Sequence, residues 1–112
     1  MKEDKIFLKH ILDSINQIEE YLNGVVFEDF IKRKLIQDGV IRQLEIIGEA
    51  TKHLSPELRE KSSNIPWEDI AGMRDKLIHH YFGVDLEAVY TIKKRIRKKP
   101  IKMKYWSCYL FS

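Results

Sequence analysis

The sequence predicts an all-α fold, an antiparallel bundle of four to five helices, on three observations. Apolar residues recur at spacings of three and four along most of the chain. Only five Gly and three Pro occur in 112 residues, too few for a turn-rich all-β domain. Capping and breaking residues stand at the ends of the periodic stretches with short connections between them, as successive antiparallel helices require.

The first helix is expected over residues 4–22, with Asp4 as its cap and Phe7, Ile11, Ile15, Ile18 and Leu22 as one apolar stripe. Asn23-Gly24 ends it. Residues 26–34 form a short helix or a lead-in, with Phe27, Phe30 and Ile31 on one side. A third helix is expected over 35–54, with Ile36, Val40, Leu44 and Ile47 as its stripe and Ile41 and Leu54 flanking. Gly39 and Gly48 inside it each cost roughly 1 kcal/mol against Ala, which points to close approach of a neighbour, above all at Gly48-Glu49-Ala50. Ser55-Pro56 starts a further turn of helix, Ser as cap and Pro at the tolerated first position. A fourth long helix is expected over 66–82, opened by Pro66 and carrying Ile70, Met73, Leu77 and Tyr81 on one side. Asp85 caps a last helix from Leu86 to about Lys98.

Composition removes several function classes. No stretch approaches the roughly 18 continuous apolar residues of a membrane helix. The opening MKEDKIFLKH mixes acids with bases and lacks an apolar signal region. Both points predict the cytoplasm and no membrane partner. Cys108 is the single cysteine, so neither an intrachain disulfide nor a cysteine metal site is expected. The net charge of +3 conceals an asymmetry. Eight basic residues fall between Lys93 and Lys104; without them the chain carries 12 basic against 17 acidic residues, or −5. The sequence therefore divides into a helical body, 1–92, and a basic tail, 93–112. By charge alone that tail is a solvated segment; it would also attract RNA phosphates.

Chemistry concentrates in Met73-Arg74-Asp75-Lys76-Leu77-Ile78-His79-His80-Tyr81. Arg and Lys bind phosphate, Arg with a planar fork of donors. His works as acid or base near neutral pH, and Tyr donates a hydrogen bond or acts as a nucleophile. Together they suit cleavage of an RNA phosphodiester without metal or cofactor. On a straight helix Tyr81 lies almost on the face of Arg74, while His79 is rotated by about 140°. Either the helix loosens before Gly83, or His79 meets the Arg of a second subunit, which predicts a homodimer with a composite site. Blander readings stand beside these: Arg74 and Asp75 on a solvated face, His79 and His80 as cations at a helix C-terminus, Tyr81 as a core aromatic. His10 and His53 are expected at the surface. No His/Asp/Glu grouping has metal-ligand spacing. Glu45 and Glu49 lie one turn apart without a cleft, so Glu49 is expected to pair with a Lys or Arg or to face a dimer.

The pattern Arg74-x4-His79-x-Tyr81 resembles the signature of the HepT toxins, a branch of the HEPN superfamily. Gln43-Leu44-Glu45-Ile46-Ile47-Gly48-Glu49-Ala50 is similar to that family's central helix. Ile65-Pro66-Trp67, followed by Ile70-Ala71-Gly72-Met73-Arg74-Asp75, is similar to the entry to its motif helix. The resemblance covers about residues 4–90. It implies a HEPN-like dimeric bundle and the toxin of a type VII-like toxin–antitoxin pair, a metal-independent endoribonuclease with tRNA as substrate class. It implies Arg74 as phosphate holder, His79 as general acid or base, and Asp75 as the polar residue beside them, with Lys76 and His80 as further RNA contacts. It implies a partner, an MntA-like nucleotidyltransferase antitoxin that places AMP on Tyr81, making the chain a nucleotide-bearing phosphoprotein. Negative charge and bulk there would neutralise the phosphate site. The alternative is a non-catalytic helical module that binds a nucleotidyltransferase or a nucleotide. After the motif the chain departs from the family pattern. Where relatives carry a longer amphipathic last helix, often with Asp-Leu-Pro, this sequence has Ile92 to Pro100 and then Tyr105-Trp106-Ser107-Cys108-Tyr109-Leu110-Phe111.

Overall fold

A computed structural model of the chain describes residues 2–63, 65, 67, 68, 70–72, 86, 87 and 89–91. Its helices are α1 (Lys2–Leu22), α2 (Phe27–Phe30), α3 (Lys34–Lys52) and α4 (Pro56–Lys61). Residues 67, 68, 70–72, 86, 87 and 89–91 are also helical, and no strand occurs among the described residues. The fold is all-α, as the apolar spacing predicts.

The long helices α1 and α3 pack side by side and antiparallel. Asp4, near the start of α1, bonds to Ser55, just past the end of α3. At the other end, the Tyr21 ring lies against Gly39, near the start of α3. Between these points the core closes on Leu8, Ile11, Ile15, Ile18 and Leu22 from α1 and on Val40, Ile41, Leu44 and Ile47 from α3. Burying one such side chain contributes roughly 1.5–3 kcal/mol. The α1 stripe therefore runs through Leu8 rather than Phe7. Phe7 sits at its edge, half-buried, stacked on His53 with ring centroids 4.8 Å apart.

The start of α1 also differs from expectation. The helix begins at Lys2, so Asp4 lies inside its first turn. Its buried carboxylate accepts from the Ser55 backbone N–H at 2.8 Å and from the Ser55 hydroxyl at 2.6 Å. Ser55 Oγ in turn accepts from the Leu58 N–H at 3.2 Å and caps α4, with Pro56 in the first turn. Asp4 thus supports the cap of a distant helix. The end of α1 is as predicted: Gly24 takes a left-handed φ of 73°, and the Val25 N–H returns to the Leu22 carbonyl at 3.1 Å.

The α2 segment is a single turn of four residues. Phe30 is fully buried, but Ile31 stands at its C-cap and is 45% exposed, off the face it was expected to share. In α3 a Cβ on Gly39 would lie 3.1 Å from Tyr21 Cε2, so this glycine admits the ring to the helix surface. The C-terminal end of α3 is closed by α4, since Arg59 Nη2 donates to the Thr51 carbonyl at 2.5 Å. Buried Thr51 satisfies its hydroxyl on the Ile47 carbonyl at 2.7 Å.

Candidate functional site

The residues that the sequence singles out for chemistry, Arg74, Asp75, Lys76, His79, His80 and Tyr81, lie outside the described residues, as do Cys108 and the basic tail. What is described is the chain on either side of the motif, and both flanks are anchored. Upstream, Ile65 and Trp67 are buried, and the Trp67 indole N–H donates to the Ser62 carbonyl at 3.0 Å. This ties the entry of the motif segment to the end of α4. Ile70 packs partly buried against the core. Downstream, Val89 is buried, and the Tyr90 hydroxyl donates to the Val25 carbonyl at 2.6 Å. The Tyr90 ring meets Phe27 and Phe30 at centroid distances of 5.5 and 5.3 Å. The described residues that flank the motif are thus fixed at α4 on one side and at α2 on the other.

Between α1 and α3 lies an open groove of about 250 Å³, lined by Phe7, His10, Arg42, Glu45, Ile46, Glu49, Ala50 and His53. It gathers residues that the sequence left scattered. His10 meets the Phe7 ring edge-on at 6.0 Å, and His53 stacks on its face. His10 and His53 are exposed, as expected. His53 Nε2, one turn on, stands 3.3 Å from Glu49 Oε1. Arg42 reaches Glu45 at 3.8 Å. Each of the two carboxylates therefore has its own basic neighbour. Among the described residues no group of three or more His, Cys, Asp or Glu is arranged to hold a metal ion. No described helix is long and apolar enough to cross a membrane.

Sequence reasoning overlooked one further feature. Lys32, Arg33 and Lys34 follow one another from the turn after α2 into the first residue of α3, all exposed, bracketed by Ile31 and by Leu35 at 87% exposure. Three adjacent cations between two apolar residues are legible in the sequence. Periodicity drew the reading instead to the apolar residues, and Ile31 was placed with Phe27 and Phe30.

An antiparallel helical body, with an Arg-x4-His-x-Tyr motif in the sequence between two anchored flanks, defines a class, the small α-helical domains with an RNase-type polar motif. Comparison with known proteins gives the family. The "Ribonuclease HepT-like" family matches residues 11–101, which include the whole motif. A gamma-glutamylcyclotransferase and putative RNase of Methanocaldococcus jannaschii is 52% identical over 94 residues, 84% of this chain but only 42% of that protein. A putative RNase of Caldanaerobacter subterraneus subsp. tengcongensis is 50% identical over 97 residues, 86% of this chain and 87% of its own length. The probable ribonuclease HepT of Thermococcus cleftensis is 45% identical over 96 residues, 85% of this chain and 87% of its own. No solved structure matches the chain. The chain belongs to the HepT-like ribonuclease family of the HEPN superfamily.

Proposed function

We propose that the chain is the toxin of a type VII-like toxin–antitoxin pair, a metal-independent endoribonuclease acting on RNA of the tRNA class in the cytoplasm. The observation that carries this reading is the intact Arg74-x4-His79-x-Tyr81 motif inside the matched span of a ribonuclease family. In the proposed reaction the 2′-hydroxyl attacks the adjacent phosphorus, and the bond to the 5′-oxygen of the next nucleotide breaks. A base takes the 2′-hydroxyl proton and an acid delivers one to the leaving 5′-oxygen. The products are a 2′,3′-cyclic phosphate and a 5′-hydroxyl. Arg74 holds the phosphate and offsets the charge gathering on its oxygens. His79 serves as the acid or the base, Asp75 orients the polar cluster, and Lys76 and His80 contact the strand. The 140° between Arg74 and His79 on a regular helix favours a homodimer whose site takes one residue from each subunit.

In the same reading Tyr81 is the regulatory position. An MntA-like nucleotidyltransferase antitoxin joins AMP to its hydroxyl, with pyrophosphate leaving from ATP. The added phosphate sits beside Arg74 and competes with substrate for it. The test is cleavage of tRNA by the wild type, whose intact mass is measured beforehand, and by His79→Ala. Cleavage that survives EDTA, leaves cyclic-phosphate ends and is lost in His79→Ala supports the reading. A bare, folded chain that leaves RNA intact moves it to a non-catalytic module that binds the nucleotidyltransferase or a nucleotide.

A further inference from the structure

The described part of the chain carries ten Lys and Arg against fourteen Asp and Glu, a difference of −4. Positive charge is nevertheless concentrated at one place in it, the turn joining α2 to α3. Elsewhere Lys9 lies 3.8 Å from Asp13, Arg42 lies 3.8 Å from Glu45, and Arg59 donates to the Thr51 carbonyl. Lys32, Arg33 and Lys34 are exposed, and among the described residues none of them joins an ion pair. Three adjacent like charges repel one another. Here they also stand at the positive end of a 19-residue helix that has no acid in its first turn and no side-chain cap. The arrangement costs stability in the free chain, and an anion at the turn relieves it. Ile31 and Leu35 bracket the cations with exposed apolar surface. A phosphodiester strand offers both complements, phosphates for the cations and ribose or base faces for the two apolar side chains.

We propose that the exposed segment Ile31-Lys32-Arg33-Lys34-Leu35, the turn after α2 with the first two residues of α3, is an RNA-docking surface, separate in sequence from the Arg74–Tyr81 motif, which grips the phosphate backbone and so holds substrate to the enzyme. The proposal rests on the reading of the chain as acting on RNA, and it assigns binding where the motif is assigned chemistry. Lys32, Arg33 and Lys34 supply charge, and Ile31 and Leu35 supply contact that salt does not screen.

The test uses the full chain and a fluorescently labelled single-stranded RNA with 2′-O-methyl groups throughout, which cannot be cleaved, so that binding is read apart from catalysis. Anisotropy titrations over a range of salt compare the wild type, K32Q/R33Q/K34Q, Leu35→Gln, and K5Q/K9Q/K61Q as a charge-matched control on other exposed lysines. Because each phosphate neutralised on a single strand contributes about 0.7 to the slope of log K against log salt, the turn variant should lower that slope by about 2. Leu35→Gln should weaken binding with the slope unchanged, and the control should bind more tightly than the turn variant at every salt. A turn variant that matches the control overturns the proposal, as does a wild type that does not bind the probe. Loss of binding to anionic phosphatidylserine vesicles with RNA binding intact also overturns it and gives the turn to a membrane surface. Cleavage of ordinary RNA, assayed in parallel, separates this outcome from failure of the ribonuclease reading. A chain that binds through the turn but does not cut retains the docking surface without the enzyme.

Discussion

Asp4 and Ser55 are 51 residues apart, yet two hydrogen bonds join them, and a third passes from Ser55 to the first turn of α4. The Ser-Pro dipeptide was readable as a helix start because a cap is a local device. Asp4 was read as a cap too, and the residue type was right while the helix was wrong, since nothing in the sequence says which distant N–H a carboxylate will meet. Hydrogen bonds to a charged group are worth about 1.5–3 kcal/mol, so Asp4→Ala should destabilise the fold by that order in urea unfolding. Ser55→Ala should cost about 1 kcal/mol or more. Because the two share one network, the double variant should cost less than the sum of the singles. Additive losses would mean that the pair acts as two independent surface groups. Gly39 makes a second residue-scale case. Replacing it with Ala gains up to about 1 kcal/mol of helix propensity, and the obstructing atom belongs to the ring of Tyr21, which is open to solvent on one side and free to shift. Gly39→Ala should therefore raise the melting temperature slightly.

At the scale of the element, the two long helices were legible because their information is periodic. Leu44 falls on the α3 stripe and is buried, so Leu44→Ala should cost about 2–5 kcal/mol. Leu35 lies on the same helix at 87% exposure, and Leu35→Ala should be within about 0.5 kcal/mol of neutral. The contrast is read in one denaturation series. Short elements were the less legible ones. A single turn such as α2 has too few residues to define a face, which is why Ile31 was placed with Phe27 and Phe30 and is found in solvent. Tyr90 was overlooked for a related reason. Its role depends on Val25, Phe27 and Phe30, 60 or more residues earlier in the chain. Tyr90→Phe keeps the ring contacts and removes the bond to the Val25 carbonyl, leaving a part-buried acceptor unpaired. It should cost about 1–3 kcal/mol, and hydrogen exchange should rise first around residues 86–91.

For the whole molecule, fold class and family were readable because stripes and motif are both continuous in sequence, whereas an assembly is a matter of distance between copies. The proposed homodimer makes that distance testable. If Arg74 of one subunit works with His79 of the other, the inactive variants Arg74→Ala and His79→Ala should complement each other. In a mixed dimer one site takes both of its altered residues from opposite chains and is dead, and the other takes both intact residues and is whole. Random reassortment of equal amounts makes half of the dimers mixed, each with one working site of two, so tRNA cleavage should return to about a quarter of the wild-type rate. If each site draws Arg74 and His79 from a single chain, every site in the mixture lacks one of them and no activity returns. Mixing without denaturation should recover activity only as fast as subunits exchange, and that lag ties the recovered cleavage to the interface rather than to contaminating nuclease.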